Sequence, residues 1–85
     1  MVAIEKIIVT DNFEKDIRKM KDRKVKERID KEVKKISANP NFGKPLEYGL
    51  KGEKTIRIKP YRLIYKVEGT NLILLRFEHR KGVYD

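Results

Sequence analysis

Cysteine is absent from the 85 residues, and histidine occurs once, at His79. Without thiols there is no disulfide framework and no thiolate zinc site, and one imidazole cannot build a histidine metal cluster. The missing cysteine fits a reducing compartment. The carboxylates are scattered without metal-ligand spacing, and no glycine-rich phosphate loop or Ser/His/Asp set is present. No metal and no cofactor are therefore expected. Nothing approaches the ~18 consecutive apolar residues of a membrane span. The N-terminal MVAIEKIIVT carries Glu5 and Lys6 inside its apolar run and has no small-residue cleavage site. The expectation is a soluble, cytoplasmic protein with no membrane partner.

Acids are also in short supply: 13 Asp and Glu stand against 22 Lys and Arg, for a net charge of +9 and a pI near 9.9. Such a balance in so small a chain calls for a polyanionic partner, a nucleic acid or an acidic protein. The excess is localised. Lys15 to Lys35 holds eleven cations against five acids, and Lys51 to Asp85 nine against four, whereas the first fourteen residues are net acidic. The length suits one domain, residues 1–85, with a modest core.

Residues 3–10 are rich in β-branched side chains and predict a strand. Asp11 or Asn12 then offers a helix N-cap, with Glu14 in the first turn. Phe13, Ile17 and Met20 form the apolar stripe of a short helix. Val25, Ile29, Val33 and Ile36 form that of a longer one ending near Ser37. Asn39-Pro40 stops it. The segment after it is punctuated by Pro40, Gly43, Pro45, Gly49 and Gly52 and predicts a loop, pinned by Phe42, Leu46, Tyr48 and Leu50. Three strands follow: Thr55 to Lys59 with strict alternation, Tyr61 to Glu68, and Asn71 to His79. The last two are joined by a Glu68-Gly69-Thr70-Asn71 hairpin turn, where Gly69 and Asn71 tolerate positive φ. The fold class is α+β: an N-terminal strand, a two-helix hairpin, then three antiparallel strands in one small sheet, with the helices on one face.

The helix charges are what a solvated face with i,i+4 pairs such as Asp30–Lys34 and Glu27–Lys31 would show, with a phosphate-tracking surface as the functional alternative. The sheet charges point further. If Ile56 and Ile58 face the helices, Arg57 faces away from them, near Arg62 across the Pro60 corner. Guanidinium groups in a row make a phosphate clamp. Lys51, Lys59, Arg76 and Lys81 add phosphate-binding capacity, His79 is a candidate base, and Tyr84 a candidate stacking platform.

The block GKPLEYGLKGEKTIRIKPYRLIYKV, followed by LLRFEHRKGVY, resembles the RelE/ParE superfamily of bacterial and archaeal toxins. There a GxPLxGxLxG-type loop leads into an RIRxGxYRLIY-type strand, and the last strand ends in HRRxVY. The HR-x-x-VY ending is more similar to the RelE branch than to the ParE branch. The resemblance implies a RelE-like toxin fold and a ribosome-dependent endoribonuclease that cuts messenger RNA in the A site, held inactive by a cognate acidic, RelB-like antitoxin. It places catalytic roles on Arg57, Arg62, Arg80 and Tyr84. A second basic position of the family falls on Thr55, which leaves Lys54 or Lys59 as substitutes, with His79 as the alternative general base. Attack by the 2′-OH would need in-line positioning and stabilisation of an anionic phosphorane, which the arginines supply. Two other readings remain: a ParE-like inhibitor of DNA gyrase, and a non-catalytic basic RNA-binding domain.

Overall fold

The computed structural model describes residues 4–40, 43–45 and 52–79. The chain runs β1 (Lys6–Val9), α1 (Asp11–Lys19), α2 (Arg23–Ala38), β2 (Lys44–Pro45), β3 (Lys54–Ile58), β4 (Tyr61–Glu68) and β5 (Asn71–His79). The strands form one sheet in the order β1-β5-β4-β3-β2. β2 to β5 pair antiparallel, as expected of the last three, but β1 lies at the edge parallel to β5. Strand periodicity reports which face a side chain takes and is silent on direction, so the mixed sheet is new information. β2 is new as well, two residues inside the segment read as loop.

Each helix begins where a side chain replaces missing backbone acceptors. Thr10, rather than Asp11 or Asn12, caps α1. Its Oγ1 accepts from Phe13 N at 3.2 Å and donates to the carbonyls of Leu74 and Leu75, at 2.8 and 3.1 Å. A carboxylate cannot donate, so threonine alone serves both the helix and the β5 edge just beyond the end of β1. Asp22 caps α2 through Lys24 N and Val25 N. Two exposed helix pairs form, Glu14–Arg18 and Glu32–Lys35, in place of the expected Asp30–Lys34 and Glu27–Lys31. Pairs of this kind gain too little to hold long side chains in one particular geometry.

The apolar stripes meet the sheet as their spacing requires. Phe13, Met20, Val25, Ile29 and Ile36 pack with Ile56, Ile58, Leu63, Tyr65, Leu72, Leu74 and Phe77. Asp16 Oδ2 accepts from Phe77 N at 2.9 Å, tying α1 to β5 past the end of β1. No described helix is long and apolar enough to cross a membrane. At the β4–β5 hairpin Gly69 has φ +60°, while Asn71 needs no positive φ. Lys59-Pro60 is cis and links β3 to β4 as a type VI turn.

Tyr65 anchors the loop that leaves α2. Its ring is fully buried, its hydroxyl donates to Pro40 O at 3.2 Å, and it accepts from Gly43 N at 2.9 Å. A Cβ at Gly43 would lie 2.6 Å from that hydroxyl, so the contact requires glycine. Phe42, Leu46, Tyr48 and Leu50, expected to pin this loop, lie outside the described residues. Burial pushes the Tyr65 phenol above its ordinary value of 10.0, although the Gly43 N–H partly opposes the shift. The unfolded phenol therefore ionises first as pH rises. Stability should be full below about pH 10 and fall as pH climbs through the folded value. Urea titrations between pH 9 and 11.5 should show this fall in the natural protein and a shallower one in Tyr65→Phe; identical slopes would contradict it.

Candidate functional site

With Ile56 and Ile58 turned to the helices, the pleat turns Thr55 and Arg57 to the opposite, helix-free face. Strand register then decides their company. Arg57 lies directly opposite Arg62 on β4, and Arg62 opposite Glu78 on β5. One step along, Thr55 lies opposite Ile64, and Ile64 opposite Arg76. A bulge between Ile64 and Tyr65 leaves Leu75 without a partner, so β5 changes phase just beside this face.

The cations on this face differ in what they touch. Arg76 is enclosed by carboxylates: its Nη2 donates to Glu53 Oε1 at 2.9 Å and its Nε to Glu78 Oε1 at 3.2 Å. Arg62 Nη2 meets the other oxygen, Glu78 Oε2, at 3.5 Å. Glu53 is only 6% exposed, the one charged residue buried this deeply among those described. Arg57 is exposed and makes no hydrogen bond or ion pair with a described residue. The Thr55 hydroxyl is buried beside it with no hydrogen-bond partner among the described residues. The face therefore carries one exposed guanidinium, Arg57, and two, Arg62 and Arg76, that are ion-paired with carboxylates.

The remaining candidates separate. Lys54 shares its side of β3 with Ile56 and Ile58, toward the helices, and is half-buried. Lys59 sits exposed in the type VI turn, where its carbonyl accepts from Arg28 Nη1 at 3.2 Å. His79 is the register partner of Tyr61 and meets that ring edge-on at 5.1 Å, while Tyr61 stacks on Phe77 at 4.9 Å. Phe77 belongs to the core, so His79 lies on the helix side, across the sheet from Arg57 and Arg62. Lys51, Arg80, Lys81 and Tyr84 lie outside the described residues. Glu53 and Glu78 were overlooked as scattered acids, although the period of two already set Glu78 on the same face as Arg76. No cluster of His, Asp or Glu able to hold a metal occurs among the described residues.

The model of the family "ParE toxin of type II toxin-antitoxin system" matches residues 7–84. The chain belongs to this family. It is thus a toxin of the RelE/ParE superfamily, from a type II toxin-antitoxin system. Solved structures agree with the toxin's fold. The RelBE2 toxin-antitoxin complex of Mycobacterium tuberculosis contains a chain 28% identical, with a TM-score of 0.72, over 88% of the toxin and 96% of that chain. The RelB-RelE complex of Methanococcus jannaschii gives 25% identity and a TM-score of 0.73, over 92% and 95%. A copper-bound mutant toxin from Helicobacter pylori gives 25% and 0.67, over 92% and 97%. No match was found among curated protein sequences.

Proposed function

We propose that the toxin is a ribosome-dependent endoribonuclease that cleaves messenger RNA in the A site by attack of the substrate's own 2′-OH. The observation that carries this is Arg57 lying exposed opposite Arg62 on the helix-free face. Neighbouring strands are ~5 Å apart, so two guanidiniums there span one phosphate and can stabilise the charge that builds on it. Arg80 and Tyr84 complete the set by motif, as a further phosphate donor and a base-stacking ring, while Lys51, Lys59 and Lys81 track the backbone. Such chemistry draws its nucleophile from the substrate and needs no metal or cofactor. Two arginines on one sheet face position RNA poorly by themselves, which favours a substrate already held by the ribosome.

Residues 1–85 then act as one RelE-like toxin domain in the cytoplasm. Its partner is an acidic, RelB-like antitoxin whose segment folds on binding to the +9 chain. The two RelB-containing complexes among its relatives support this partner. The matching family model carries the ParE name, which favours gyrase inhibition as the second reading. A defined messenger RNA, with and without programmed ribosomes, and a gyrase supercoiling assay run on the same preparation separate the two. Cuts confined to ribosome-bound message with gyrase unaffected are expected. Intact RNA with blocked supercoiling would replace the ribonuclease with the gyrase reading. Neither effect would leave a non-catalytic basic domain.

A further inference from the structure

We infer that Glu78 is the proton acceptor of the cleavage step, held in place by Arg76 and Glu53. This rests on the ribonuclease reading above. The contacts lengthen from Glu53 toward Arg62: 2.9 Å from Glu53 to Arg76, 3.2 Å from Arg76 to Glu78 Oε1, and 3.5 Å from Glu78 Oε2 to Arg62. The buried Glu53 fixes Arg76, and Arg76 fixes one oxygen of Glu78. The second oxygen touches only Arg62 among the described residues, at a distance well beyond the ~2.7–2.9 Å of a strong charge-assisted bond. A phosphate gripped by Arg57 and Arg62 exchanges that weak contact for a bidentate one. Oε2 is then left beside the phosphate with its lone pairs uncommitted.

Among the described residues the charged groups facing Glu78 are Arg62 from β4 and Arg76 from β5 itself; Arg57 stands one strand further, and the helices pack on the other face. Oε2 takes the proton from the 2′-OH as the O2′–P bond forms and the P–O5′ bond breaks. The departing 5′ oxygen takes a proton from water, leaving a 2′,3′-cyclic phosphate and a 5′-hydroxyl. The carboxylic acid then returns its proton to solvent. Lys54 and His79 lie toward the helices, and Glu53 is buried against Arg76. Among the described residues Glu78 is thus the carboxylate placed to act.

The test is single-turnover cleavage on programmed ribosomes, paired with binding of the same message carrying a 2′-deoxynucleotide at the cut site. Glu78→Gln should slow cleavage by about 10²-fold or more, while binding of the deoxy message stays equal or tightens, and Glu78→Asp should restore part of the rate. Cleavage by Glu78→Gln within about threefold of the natural protein would overturn the inference and leave the ribonuclease reading standing. Loss of rate and binding together would also overturn it, making Glu78 a support for the phosphate site. If the natural protein cuts nothing, the ribonuclease reading falls and the inference with it.

Discussion

Arg57→Ala should cut RNA cleavage by about 10²–10³-fold and leave the fold as stable as before. The size follows from removing one donor aimed at charge that develops during the reaction. The stability half follows from its surroundings. Arg57 is exposed, without a partner among the described residues, and directly across from another arginine. Like charges opposed on a sheet destabilise it by roughly a few tenths of a kcal/mol to 1 kcal/mol, so losing one is neutral or mildly stabilising. A residue whose removal abolishes activity and raises stability is one held for function. Cleavage rates beside urea melts of the same preparation measure both halves. Equal losses of rate and stability would recast Arg57 as structural.

Arg76→Ala should behave in the opposite way, costing about 2–3 kcal/mol of stability. The carboxylate of Glu53 is almost wholly buried, and Arg76 is the partner that balances it. Stranding a buried charge costs about 3–5 kcal/mol when both partners are deep; the Arg76 side chain is 36% exposed, which lowers the figure. For a domain whose total stability is of order 5–15 kcal/mol, that is a large share. Replacing both residues, Glu53→Leu with Arg76→Leu, should recover most of the loss, because the desolvated charge disappears with its partner. Urea denaturation of the two variants checks this. A loss under about 0.5 kcal/mol in Arg76→Ala, the level of an ordinary surface change, would mean that Glu53 is not held by this pair.

The contrast between these arginines shows how far the sequence could be read. β4 and β5 were legible to the residue, because Pro60 and Gly69 punctuate two long β-rich runs. The helices were legible through their stripes, and Arg57 through its place between Ile56 and Ile58. The Glu53–Arg76 and Arg62–Glu78 pairs join residues 23 and 16 positions apart. Such pairs depend on strand register and on the bulge at Leu75, which no local pattern encodes. Arg76 therefore looked like one more phosphate contact, and Glu78 like one more scattered acid. The side that His79 takes was legible more simply: counting by twos from Phe77 assigns it to the helix side. β2 and the parallel setting of β1 escaped because a two-residue strand has no period and an edge strand's direction is set by its connections.

The most direct test of the central claim is 5′-end mapping of a defined messenger RNA incubated with the toxin on programmed ribosomes, with Arg57→Ala alongside. Cuts confined to the codon in the A site, bearing 5′-hydroxyl ends and lost in Arg57→Ala, are the predicted result. Cuts that persist unchanged in Arg57→Ala, or none with the natural protein, would contradict the assignment of the arginine face as the site of cleavage.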